Sequence, residues 1–71
     1  MKHLVSTTNS VRLSFLLALL QGAGIKAHVF DANISALEAG IGAFPRRIMV
    51  LEKRLLAAKI LLEDANEFYN D

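Results

Sequence analysis

Two histidines, four serines, seven carboxylates and eight lysine or arginine side chains are the groups this 71-residue chain offers for ligation, proton transfer or anion binding. His3 and His28 would approach each other if the strands that carry them paired. Two imidazoles alone are an incomplete metal site, because structural zinc takes four ligands and catalytic zinc at least three from the protein. The chain has no cysteine, which excludes thiolate zinc sites and a disulfide framework. Histidines on a surface or an edge strand are the simpler assignment. Ser6, Ser10, Ser14 and Ser35 fall in cap or helix contexts, none of them a nucleophile elbow. Asp31, Glu38, Glu52, Glu63, Asp64 and Glu67 fall in loops or on the expected solvent side of the second helix. They lack the burial or close neighbours that would tune a carboxyl group for general-acid work. The expectation is a chain with no catalytic residue, no metal and no cofactor, and therefore not an enzyme.

Binding is the remaining chemistry. Gly40-Ile41-Gly42 suggests a phosphate loop, but such loops follow a strand and open a helix, whereas here Pro45, Arg46, Arg47 and a strand come next. A turn feeding that strand fits better. Arg46 and Arg47 beside Gly40 and Gly42 form a candidate site for a small anionic ligand, since paired guanidiniums suit carboxylate and phosphate. Charge placed at a strand start to discourage edge-to-edge aggregation explains the same residues without a ligand.

These groups sit in an apolar setting, with 54% of residues hydrophobic and a net charge of only +1. Such a balance excludes disorder and carries no electrostatic footprint for nucleic acid. The run Leu13–Leu20 is far short of the roughly 20 apolar residues of a membrane span. Preceded by Lys2 and Arg12 and followed by Gly22, Ala23 and Gly24, it imitates a secretory signal. Ser14 interrupts it, however, and the stretch from Leu4 to Ser10 reads as a strand plus a helix cap. A soluble cytoplasmic domain over residues 1–71 is expected, its core spanning about 3–66 and its tail, 67–71, frayed.

His3–Thr7 has the β-favouring Val5 and Thr7 of a first strand. Thr8, Asn9 and Ser10 are candidate N-caps for a helix over Val11–Gln21, which Gly22 and Gly24 would end. Ile25–Ala32 alternates as a strand does. Ser35 and Glu38 have capping-box spacing for a short helix that Gly40 would stop. Arg46–Leu51 resumes strand character, and Glu52–Phe68 forms the second long helix. A helical link of about 18 residues between the first two strands fits a parallel crossover. The sum is an α+β fold, a βαββα two-layer sandwich with both helices on one face of a small mixed sheet. It is a ferredoxin-like unit without its last strand.

On a helical wheel the first helix gathers Phe15, Leu16, Leu19, Leu20 and Ala23 into a core face, leaving Leu17 outside and Leu13 at the margin. The second helix gathers Ala58, Leu61, Leu62 and Ala65, leaving Leu56 and Ile60 on the opposite side. Leu13, Leu17, Leu56 and Ile60 are thus candidate interface residues, for a second copy or another protein, with burial contributing about 2 kcal/mol each. A rotated wheel that returns them to the core is the alternative.

The stretch Phe15-Leu16-Leu17-Ala18-Leu19-Leu20-Gln21-Gly22-Ala23-Gly24-Ile25 resembles the helix-to-strand junction "LLxxLLEAxGI" of a small bacterial family, the "putative prokaryotic signal transducing protein". The likeness continues through Lys26-Ala27-His28-Val29-Phe30 and Arg47-Ile48-Met49-Val50 to Ala58-Lys59-Ile60-Leu61-Leu62, which looks like the family's "AxxLL" ending. It covers roughly residues 3–66 and its motifs are chiefly structural. It implies a βαββα fold distantly similar in shape to PII-like regulators, and it brings no catalytic residue. The chain departs from the family in having Leu51 where members usually have a proline. It also has Leu17, Leu56 and Ile60 where members tend to carry charge. The expected function is a regulatory module, without catalysis, that works through protein contact or as a homodimer. The alternative is a sensor for a small anionic ligand near Gly40–Arg47.

Overall fold

The structure, a computed structural model, describes residues 1–30 and 45–71. The strand end at Ala32, the Ser35–Glu38 capping box, Gly40 and Gly42 lie outside the described residues.

The first strand, β1 (Lys2–Thr7), buries two consecutive residues, Leu4 and Val5. A regular strand sends neighbours to opposite faces, so this requires an extra residue in the ladder. The register supplies it: His3 pairs with Met49 and Val5 with Ile48, with a shift between His3 and Val5. Helix α1 (Ser10–Gly22) starts at Asn9, whose Oδ1 accepts from the amides of Val11 (2.9 Å) and Arg12 (3.1 Å). It ends in a Schellman motif. The amide of Gly24 donates to Gln21 O and that of Ile25 to Leu20 O, with Gly24 at φ +75°.

β2 (Ala27–Phe30) and β3 (Arg46–Val50) complete a sheet of order β1-β3-β2. Both pairings are antiparallel. The expected mixed sheet is therefore corrected. β1 and β2 do run in the same direction, as the helical crossover requires, but β3 lies between them and hydrogen-bonds to each. The α+β fold with two helices on one sheet face stands as expected, and the arrangement is compatible with a ferredoxin-like βαββα unit.

A 3-10 turn, Glu52–Arg54, leads into α2 (Leu55–Asp64). This helix stops four residues before the expected Phe68. Asn66 takes the left-handed conformation (φ 57°), its amide donates to Glu63 O, and the amide of Glu67 donates to Leu62 O. Asparagine is the residue after glycine that tolerates this cap.

The core is Leu4, Val5, Leu13, Leu16, Leu20, Ile25, Ile48, Val50, Ala58 and Leu62. Leu13, a candidate interface residue, is only 6% exposed and belongs to that core, whereas Phe15, expected inside, is 48% exposed. The wheel of α1 is rotated so that Arg12, Leu13, Leu16 and Leu20 face inward. Residues 67–71, expected to fray, are placed against β1. Asn70 Oδ1 accepts from Ser6 N (2.7 Å), Asp71 N donates to Ser6 O (3.1 Å), and Thr8 Oγ1 donates to Asp71 O (3.2 Å). The tail thus lies along β1 and occupies both backbone groups of Ser6.

Candidate functional site

Helix α1 is apolar almost all the way round. Its one ionisable residue, Arg12, is buried, so the exposed side carries Val11, Ser14, Phe15, Ala18 and Gln21 and no charge. A helix of this kind ordinarily lies within a larger core, because a solvated face is polar. Among the described residues, the sheet covers one side only. Val11 is 77% exposed, and with Phe15 four residues on it forms one apolar ridge. On α2, Leu56 (70%) and Ile60 (52%) repeat the spacing. Both helices lie on the same sheet face, so both ridges point away from it.

Of the interface candidates, Leu56 and Ile60 are exposed, Leu17 is half-buried against the core, and Leu13 is inside it. Val11 and Phe15 are the large apolar side chains that α1 exposes instead, and the helical wheel does not single them out. Their signal was present: α1 has no charged stripe anywhere, so whichever side faces outward must be uncharged.

Among the described residues, the sheet face turned away from the helices carries His3, Ser6, His28 and Arg47 together with Met49 and Phe30. His3 and His28 both stand opposite Met49 in the register, on β1 and β2 with β3 between. The expected approach of two paired strands is thus replaced by a row with methionine at its centre. The bulge places His3 and Ser6 on one face, where His3 Nε2 and Ser6 Oγ hydrogen-bond at 2.8 Å. Both residues lie in an exposed setting. Among the described residues, no three of the His, Asp and Glu side chains converge into a metal-holding group. Arg47 stands opposite Ser6 and Phe30, and Arg46 opposite Thr7; both arginines are exposed. Gly40 and Gly42, their expected companions in anion binding, lie outside the described residues. Two shallow cavities of about 320 Å³ are lined by Leu17, Gln21, Ile25, Lys26 and Ala27, and by Glu63, Asn66, Phe68 and Tyr69.

Among the described residues, the strongest electrostatic feature is internal. The Arg12 guanidinium donates to Glu67 Oε1 (2.8 Å), Asp71 Oδ1 (2.9 Å), Glu67 O (2.6 Å) and Tyr69 O (2.9 Å), and lies 3.9 Å from the Tyr69 ring centre. Burial by itself lowers the Arg12 pKa. The hydrogen bond to Glu67, with the favourable fields of Tyr69 and Asp71, outweighs it, so the pKa rises and the charge is secure. A hydrogen bond from Thr7 holds the Asp71 carboxyl below its usual range against a smaller desolvation penalty, with Arg12 adding to the effect. Arg12 therefore ties the tail to the start of α1 and leaves α1 without exposed charge.

No helix among the described residues is long and apolar enough to cross a membrane. Comparison with known proteins matches residues 1–66 to a family model described as "putative prokaryotic signal transducing protein". Comparisons with curated proteins and with solved structures give no match.

Proposed function

The chain belongs to the "putative prokaryotic signal transducing protein" family, and from that membership we propose that it is a non-enzymatic regulatory module acting in the cytoplasm through protein contact. The contact surface is the outer side of the two helices. One observation carries this: α1 exposes no charged side chain, while Val11, Phe15, Leu56 and Ile60 line the layer it shares with α2. Each of these side chains has apolar area still to bury, worth on the order of 1–2 kcal/mol per residue. Together they reach several kcal/mol, the scale on which a small contact overcomes the entropy of association. The opposite face sets Met49 and Phe30 among His3, Ser6, His28 and Arg47, so polar and charged side chains break up its apolar area.

The test is photo-cross-linking in the expressing cell, with a photoreactive residue replacing Phe15 or Ile60 and, as control, Thr8. A contact face gives a discrete adduct at Phe15 and Ile60 and none at Thr8. If neither helical position yields an adduct, protein contact at this face is wrong.

A further inference from the structure

The outer ridge of α1 runs Val11, Phe15, Ala18, Gly22, at spacings of four, three and four that keep all four residues on one side of the helix. Its first half is large and its second half small. A two-fold axis crossing the ridge midway between residues 16 and 17 sets Phe15 of one copy over Ala18 of the other, and Val11 over Gly22. All four large-to-small contacts are then satisfied at once. From this self-complementarity we propose that the protein the face meets is a second copy of this chain, with the two α1 helices packed antiparallel. The proposal rests on the contact face proposed above and specifies its occupant.

Two further observations support it. Gly22 lies inside the helix without a positive φ, and a Cβ built there would meet nothing within 4 Å. Among the described residues, nothing in the packing requires glycine at this position, in contrast to Gly24, whose φ of +75° does. A glycine with open space above it is what a second backbone needs for close approach. The exposed side of α1 also carries no charge, so two identical copies meet there without setting like charges against each other. The contact is isologous, which closes at two copies and builds no filament. Leu56 and Ile60 flank α1 on the same layer and widen the apolar surface.

Because the chain has no cysteine, disulfide trapping is free of background. In the antiparallel register residue 11 of one copy lies beside residue 22 of the other. The two residues 11 lie about 16 Å apart along the axis at a 1.5 Å rise per residue, as do the two residues 22. That is well beyond the roughly 7 Å Cα separation a disulfide spans. Val11→Cys and Gly22→Cys are therefore oxidised separately and as an equimolar mixture. The mixture is expected to give a covalent dimer, and each variant alone is not. Light scattering on the wild type at high micromolar concentration is expected to give twice the chain mass, falling to one chain mass in Ala18→Glu. Self-cross-linking of either single variant would show a parallel packing and overturn the register. A wild type of one chain mass, with no dimer trapped in the mixture, would overturn self-association. In that case a photo-adduct at Phe15 of other than doubled mass would leave the contact face standing with a different partner. Absence of any adduct would remove both.

Discussion

Replacing Arg12 by methionine tests the internal clamp most directly, because it keeps the bulk of the side chain and removes the fork. Four hydrogen bonds are lost, two to carboxylates and two to backbone carbonyls, together with the contact over the Tyr69 ring. Breaking a buried ion pair by removing one partner costs about 3–5 kcal/mol. This clamp sits at the edge of the protein: the Arg12 side chain is 7% exposed, but Glu67 and Asp71 are 22% and 36% exposed and can turn to water. The expected cost is therefore at the low end, about 3 kcal/mol. A domain of this size loses about 4–8 °C of melting temperature per kcal/mol, so a drop of roughly 12–24 °C is expected. Urea denaturation followed by circular dichroism measures the first figure and a thermal scan the second. Arg12→Lys, which keeps charge but loses the planar fork, should fall between wild type and Arg12→Met. The double variant Arg12→Met/Glu67→Gln should cost less than the sum of the single changes, since the two residues share one bond. A loss below about 1 kcal/mol in Arg12→Met, with additive single changes, would refute the clamp as a contributor to stability.

Other consequences follow from the same structure. Asp71 is held below its usual pKa in the folded protein, so it contributes stability that is present above the unfolded carboxylate value. That contribution disappears as pH falls from about 4 through the lower folded value. Arg12 stays charged throughout, and Asp71→Asn should flatten the acid limb of a stability-against-pH curve in that window. Gly24→Ala forces a side chain into the left-handed region and should cost about 1–2 kcal/mol in a denaturant titration. Gly22→Ala at high dilution should instead stabilise the single chain by about 0.5–1 kcal/mol, because nothing crowds the added methyl group. For the alternative function, a thermal-shift screen of nucleotides and organic acids should show a rise that Arg47→Ala abolishes if the start of β3 holds an anion. A flat screen would remove that alternative.

The candidate site was legible in part. Leu56 and Ile60 fall on the outer side of α2 by periodicity alone, and the structure leaves them there, because the polar and apolar residues of α2 define a direction. α1 has no such direction. With leucines at positions 13, 16, 17, 19 and 20, several rotations bury a comparable area, and the choice of Leu13 over Phe15 was not available from the pattern. What orients the helix is a contact distant in sequence: Arg12 turns inward to residues 67–71, and Leu13, Leu16 and Leu20 turn inward with it.

The chain's own sequence determined what short-range forces decide. The Asn9 cap, the stop at Gly24, the helical and strand periods and the βαββα order all depend on residues within a turn or two of each other. The family junction from Phe15 to Ile25 is local in the same sense. Tertiary structure alone decided the placement of β3 between β1 and β2, the bulge that buries Leu4 beside Val5, the clasp of the tail by Arg12, and therefore which side of α1 meets solvent. Each of these sets groups distant in sequence in contact, from Phe30 opposite Arg47 to Arg12 against Asp71, and their energies depend on which surfaces are removed from water together. A pattern read along the chain shows which residues are apolar; only the assembled sheet shows which of them it can cover.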